Sequence, residues 1–327
     1  MKTRPFGKTG FQISEIALGT WQLGSRWGDP FDEKIAFETL EVASNLGINA
    51  FDTADVYQGG MSEKTIGKYN KNQNHKAFVI TKVGRKLPKQ DKDLYTKEAL
   101  TKFIDDSRHN LQVDALDMVL LHCPPTDLYS QKEVFGFMDD FKKQGKIKHY
   151  GVSIEKIEEG IKAMDYPGVE AIEVIFNMFR LRPATELFDL AKKKHVGIIV
   201  RVPLASGLLT GKYTKKTTFG PHDHRTFNRH GESFDKGETF SGVPYDVGLE
   251  AVEELKKAFP KDELPLYALR YILMYDGVST VIPGASKPEQ IIENIKAAEL
   301  PPLTKHQMDE VERIYNTYIK PHVHHLW

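Results

Sequence analysis

The sequence predicts an α/β fold, a (β/α)8 TIM barrel with a short N-terminal hairpin and a long loop after the seventh barrel strand. Three observations carry that expectation. Eight apolar runs of strand length recur along the 327 residues, most are followed by a segment with helical spacing, and several are apolar on both faces. Strands buried on both faces belong to a parallel sheet covered by helices, and eight such units suit a closed barrel.

In chain order the strands are expected at Ile16–Gly19, Asn49–Thr53, Phe78–Val83, Met118–Cys123, Tyr150–Ile154, Ile172–Asn177, Ile198–Val202 and Thr280–Pro283. Residues Thr3–Ile13, turning at Gly7–Gly10, read as a hairpin ahead of the first barrel strand. Between the strands, Leu100, Phe103, Ile104, Ser107 and Leu111 recur at helical spacing, with only Ser107 breaking the apolar face. Thr185–Lys194 and Gln290–Ala298 have the same character, and Ser62 is positioned to cap the helix after the second strand. Residues 212–246 form a polar stretch rich in Gly, Lys, His and Phe, long enough to be a lid or binding loop. No linker or low-complexity tract interrupts the chain, so residues 1–327 read as one barrel domain. A doubly wound open sheet shares the alternation. Its dinucleotide-binding version needs a glycine fingerprint after the first strand, where this chain has Thr20-Trp21-Gln22.

Lys plus Arg and Asp plus Glu each total 45, which removes any general pull toward nucleic acid or an anionic membrane. The single cysteine, Cys123, rules out an intrachain disulfide and fits a reducing compartment. The N-terminus lacks the apolar core of a signal peptide, and no apolar run approaches membrane-spanning length. A soluble cytoplasmic protein acting on a small molecule is expected.

Barrel chemistry sits at the C-terminal ends of strands and in the loops that follow. Those positions carry Asp52, Lys82, His122, Ser153, Asn177 and Arg201. Taken alone, Asp52 equally suits a turn cap, Tyr57 a ring packed on the rim, and His122 a core histidine bonded to backbone. Lys82, inside the run Val79-Ile80-Thr81-Lys82-Val83, is harder to dismiss, because lysine is rarely buried without a partner. Together they suit carbonyl reduction. Hydride transfer to a carbonyl carbon leaves charge on oxygen that a proton donor must meet. A tyrosine supplies that proton if a nearby ammonium lowers its pKa of about 10, and a carboxylate keeps the lysine charged.

The chain resembles the aldo-keto reductases, most closely the bacterial branch with the general-stress and inositol-operon reductases. The resemblance runs through LGTW at 18–21, FDTADVYQGG at 51–60, ITKVG at 80–84, LLHCPP at 120–125, YGVS at 150–153, PLASGLLTGKY at 203–213 and IPGASKPEQIIEN at 282–294. It implies a TIM barrel that reduces aldehydes and some ketones with NADPH, using Asp52, Tyr57, Lys82 and His122, with Tyr57 as general acid.

The same resemblance assigns the cofactor contacts. Thr20, Trp21 and Asp52 fall at the nicotinamide end, and Ser153 matches the serine that holds the carboxamide. Two departures follow: Ile154 replaces the usual asparagine, and Glu173 stands where glutamine is usual. Arg201 replaces an aromatic ring; it either stacks on nicotinamide or forms a structural ion pair with Glu173 or Asp52. Pro203, Leu204, Ser206, Gly207 and Lys212 belong to the segment crossing the pyrophosphate. Read as a P-loop, GLLTGKY fails, since Tyr213 replaces the magnesium-binding Ser or Thr. Gly284 allows close approach, while Ser286 and Lys287 open a helix suited to the 2′-phosphate of NADP. The same residues would also make an ordinary well-capped helix. Gln290, Glu293 and Asn294 are then the ribose and adenine contacts, and Arg225 is a further phosphate candidate. Trp21, Trp27, Phe31 and Trp327 are candidates for an apolar substrate wall.

Two other functions compete. A non-catalytic NADP-binding regulatory subunit, resembling potassium-channel β-subunits, would keep the same site. A metal-dependent barrel hydrolase would need ligands at strand ends, whereas His322, His324 and His325 sit in a terminal tail of the kind that is usually mobile, so no metal is expected.

Overall fold

A computed structural model describes residues 1–25, 29–260 and 262–327. Strands β1 (Thr3–Pro5) and β2 (Gln12–Ser14) pair antiparallel as the expected hairpin. The barrel strands follow as β3 (Leu18–Gly19), β4 (Ala50–Asp52), β5 (Phe78–Val83), β6 (Leu116–His122), β7 (Ile147–Ser153), β8 (Val169–Ile175), β9 (Gly197–Arg201) and β10 (Thr280–Val281). Each lies parallel to its chain neighbours or, for β10, to β9. Parallel bridges Ile16–Val281 and Gly19–Gly284 join the last strand to the first, which closes the barrel. All eight expected strand positions are occupied.

Side chains alternate between the two faces of a strand, and that alternation places the site. Ala50, Ile80, Met118, Leu120, Ala171 and Ile199 form an inner apolar cluster. A step of two residues keeps the chain on the same face. It leads from Ala50 to Asp52, Ile80 to Lys82, Leu120 to His122, Ala171 to Glu173 and Ile199 to Arg201. Lower layers of the barrel are therefore apolar and the upper layer is charged. The outward residues Val79, Val83, Val119, Leu121, Ile172, Val174, Ile198 and Val200 join a larger cluster under the helices.

The hairpin plugs the opposite end. Phe6 is fully buried in the inner cluster and meets Phe78 edge-on at 5.9 Å, while Phe11 stacks on Phe78 at 4.5 Å. Burying one such ring stabilises by roughly 1.5–3 kcal/mol.

Three local expectations need correction. Ser62 does not cap its helix, Met61–Lys71; Gly60 does, with φ +89°. Ser62 Oγ instead lies 2.8 Å from both Thr20 and Thr53 hydroxyls, pinning β3, β4 and the helix together. The expected helix Thr185–Lys194 is two short helices, Arg182–Glu186 and Phe188–Lys193, broken at Leu187. The terminal segment is a helical turn, Lys320–Val323, ending in a buried Trp327, because Arg180 lies 4.3 Å over the indole ring. Among the described residues, no helix is long and apolar enough to cross a membrane.

Candidate active site

At the charged end of the barrel, a cavity of about 600 Å³ opens between β3, β4 and the loops after β9 and β10. Asp52, Tyr57, His122, Glu173 and Arg201 form its floor and wall. Tyr57 reaches the floor because Gln58, Gly59 and Gly60 all take left-handed backbone angles, φ 50°, 61° and 89°. This tight reversal is cheap only where glycine dominates.

Lys82 is fully buried between these groups. Its Nζ donates to Asp52 Oδ1 at 2.5 Å, to the Thr53 carbonyl at 3.1 Å and to the Tyr57 hydroxyl at 3.2 Å. His122 presents an edge to the Tyr57 ring at 6.0 Å, and Trp21 lies against its other side at 6.2 Å. The four side chains expected to act together are thus in one contact network.

Electrostatics modifies the expectation. Burial raises the Tyr57 pKa above the usual tyrosine range, and Lys82 offsets only part of that rise. Tyr57 therefore stays protonated at every ordinary pH, and the expected lowering by the ammonium does not prevail. Burial also disfavours charge on Lys82, but Asp52 and Glu173 outweigh it and hold the ammonium pKa above its usual value. Burial, reinforced by Arg85, Lys82 and Arg201, keeps His122 neutral by pushing its pKa well down. A neutral imidazole beside a protonated phenol gives the cavity two uncharged hydrogen-bonding groups next to one cation.

Behind them lies an ion network that sequence reasoning missed in part. Arg201 does not pair with Asp52. It approaches Glu155 at 3.1 Å, Glu238 at 3.5 Å and Glu173 at 3.9 Å, and donates to the Ile154 carbonyl at 3.1 Å. Arg85 bonds Glu238 at 2.7 Å and approaches Glu155 at 3.4 Å. Burial disfavours charge on Glu238, but Arg85 and Arg201 win and hold its pKa at about 2; burial pushes Glu155 up to about 8 against Arg201. Cys123, Glu155 and Glu238 bring possible ligand atoms within 4.8 Å of one another. The two carboxyl groups already face Arg85 and Arg201, and burial raises the thiol pKa, so the donor set does not suit a cation. Arg85 was readable as a basic residue just past β5. Glu155 and Glu238 sit in loops without periodicity and gave no signal.

The expected cofactor residues fall in three places. Thr20, Trp21, Asp52, Glu173, Arg201, Pro203, Leu204, Ser206, Gly207, Gly284 and Gln290 line the cavity. Ser153 is buried behind it, 3.4 Å from Glu173. Ser286 and Lys287, on the segment opening the helix Pro288–Glu299, and Glu293 and Asn294, midway along it, lie off the cavity wall, and Lys212 is exposed. Among the described residues Lys287 meets only Glu289, at 4.0 Å, and Glu293 accepts from Lys296. A side chain at Gly284 would find no protein atom within 4 Å, so this point of the wall is open to a bound group. The open wall, running toward a helix start with an exposed lysine, fits an elongated anionic cofactor.

The long loop forms the outer wall. It contains a short helix, His224–Phe227, and contributes Tyr213, His224, Arg225, Phe227, Phe234 and Glu238 to the cavity. Arg225 is held by Asp223 at 2.5 Å and by Tyr213, and it stacks on Phe219 at 4.5 Å. Of the proposed apolar wall, Trp21 is in place. Phe31 packs on the outer core, Trp327 is buried beneath the loop, and Trp27 lies outside the described residues.

Comparison with known proteins agrees with this architecture. The aldo-keto reductase YhdN of Bacillus subtilis is 30% identical over 299 residues, covering 89% of this chain and 87% of its own. The NADH-specific methylglyoxal reductase of Escherichia coli is 25% identical over 92% of this chain and 94% of its own. The holo structure of aldo-keto reductase AKR11C1 from Bacillus halodurans superposes with a TM-score of 0.76, at 26% identity and 96% coverage of both chains. Residues 15–316 match the model of the aldo/keto reductase family, and the chain belongs to that family.

Proposed function

We propose that the protein reduces aldehydes, and some ketones, to alcohols with NADPH, and that Tyr57 is the general acid. The observation that carries this reading is the Tyr57 hydroxyl, which faces the cavity while accepting from Lys82 at 3.2 Å. When bound, NADPH supplies the hydride. The cavity-wall residues from Thr20 to Gly284 hold its nicotinamide half, and Ser286, Lys287, Gln290, Glu293 and Asn294 its adenosine half, with Arg225 and Lys212 toward the phosphates. Family membership alone leaves the choice of nucleotide open, since one relative is NADH-specific. Lys287 and Ser286 favour a 2′-phosphate, for which an acidic residue would be wrong.

The residues then act in sequence. His122 and Tyr57 donate hydrogen bonds to the substrate oxygen and fix the carbonyl carbon toward the hydride donor. As charge develops on that oxygen, the Tyr57 O–H proton moves to it, and the adjacent Lys82 ammonium stabilises the phenolate left behind. The complete tetrad supports turnover over a purely regulatory role. The test is NADPH oxidation with aromatic, aliphatic and hydroxylated aldehydes. Wild type is expected to turn over part of the panel, and Tyr57→Phe to lose at least ~100-fold in kcat while retaining NADPH affinity. NADPH binding without turnover of any aldehyde would favour the regulatory subunit.

A further inference from the structure

The replacement of glutamine by Glu173 puts a second carboxyl group on the lysine. Glu173 Oε2 lies 3.5 Å from Lys82 Nζ, the same atom that Asp52 Oδ1 meets at 2.5 Å. Both carboxyl groups are buried, and each has one oxygen, Asp52 Oδ2 and Glu173 Oε2, with no hydrogen-bond partner. Two acceptor-only carboxylates cannot satisfy each other, but one proton between them satisfies both. Their shared contact with Lys82 Nζ brings the two groups together.

We propose that Asp52 and Glu173 share one proton behind Lys82, and that this proton restores the Lys82 ammonium after Tyr57 has been recharged. Burial and the neighbouring Glu173 both push the Asp52 pKa well up, in the same sense. Other groups facing Glu173 are Ser153 at 3.4 Å and the Arg201 Nε at 3.9 Å. Tyr57 also faces both carboxyl groups, and Arg201 links Glu173 to Glu155 and Glu238. Arg201 is thus a paired departure with Glu173, supplying a cation where the glutamine-bearing pattern has an aromatic ring.

The inference rests on the reductase reading for its kinetic half. A bound reduced nicotinamide would supply the hydride to the carbonyl carbon. The Tyr57 O–H bond breaks as the product O–H bond forms. A Lys82 N–H proton passes to the phenolate, and the shared carboxyl proton passes to the Lys82 amine. A proton taken up from bulk solvent through the cavity restores the pair, so each turnover consumes one solvent proton and the protein ends as it began. A Tyr57 held protonated by burial leaves a strongly basic phenolate, which is why a second donor behind Lys82 matters. Glu173 acts through Lys82 and is a positioning residue.

The first test is infrared spectroscopy of the cofactor-free protein in the carboxylic-acid C=O region, at about pH 9, where Asp55 and Glu155 are mostly ionised. Wild type is expected to keep a protonated-carboxyl band that Glu173→Gln lacks and Glu173→Asp retains. An identical band in wild type and Glu173→Gln overturns the shared proton. The second test is the pH profile of kcat for carbonyl reduction. Wild type is expected to lose rate at alkaline pH as the shared proton is lost; Glu173→Gln is expected to be about tenfold slower in kcat and to lack that limb. Coincident profiles overturn the relay. The infrared result does not depend on any turnover, so failure of the reductase reading and failure of the shared proton give different outcomes.

Discussion

Asp55, three residues beyond Asp52, has both carboxyl oxygens buried and, among the described residues, no hydrogen-bond partner for them and only a 4.0 Å approach from Lys86. Burial raises its pKa to about 7. A raised carboxyl pKa means that the folded state binds the proton more tightly than the unfolded chain does. The resulting stability is full below about pH 4 and is lost as pH rises through about 7. Asp55→Asn is expected to remove this component, so that the mutant's melting temperature exceeds wild type more at pH 8 than at pH 5; parallel curves would contradict it. Lys287 is the second residue-scale case. Its exposed ammonium makes only a weak ion pair at the start of the helix Pro288–Glu299, so Lys287→Ala should leave folding intact. Loss of one charge-assisted contact should weaken NADPH binding about tenfold and NADH binding much less. Fluorescence titration with both nucleotides separates this from an equal effect.

At the scale of elements, strands were legible because burial on both faces leaves apolar runs, as in Met118–Leu121 and Ile198–Val200. The strand-end tetrad was legible for the same reason, since Lys82 and His122 interrupt such runs at the inner face. Helices were less so. Leu187 is fully buried yet ends one short helix and precedes the next, so apolar spacing reads straight through the break. Ser62 looked like a cap because serine is common there; its value here is a hydroxyl bridge between strands, which local sequence does not encode. Gly151 shows how tightly the elements meet. A Cβ there would lie 2.1 Å from the Ala171 carbonyl oxygen, next to the register shift between β7 and β8. Gly151→Ala should force β8 and Glu173 outward and destabilise by about 1–3 kcal/mol. A thermal melt checks the stability, and an unchanged melting temperature would show that the strands yield freely.

Across the whole molecule, the long loop depends on the chain's last described residue. Trp327 packs against Gly242, where a Cβ would come within 2.1 Å of the indole, and against Gly237 and Arg180. Glu238, between those glycines, is the loop residue that reaches Arg85 and Arg201. Trp327→Ala should therefore loosen residues 212–246 as well as cost roughly 3 kcal/mol of packing. Faster proteolytic cleavage within that loop, with a higher KM for the nucleotide, is the expected result; unchanged cleavage would separate the tryptophan from the loop. This coupling was not legible in the sequence, because it joins segments about 85 residues apart through shape alone.

The seam of the barrel also sets an order of assembly. Asp52 and Lys82 are synthesised early, but β3 gains its second neighbour only when Val281 and Gly284 pair with Ile16 and Gly19. A chain emerging from the ribosome therefore carries its charged centre in an open, hydrated sheet for most of its synthesis. Nascent chains stopped short of the seam should leave Lys82 accessible to amine-reactive probes, and those extending beyond it should protect it.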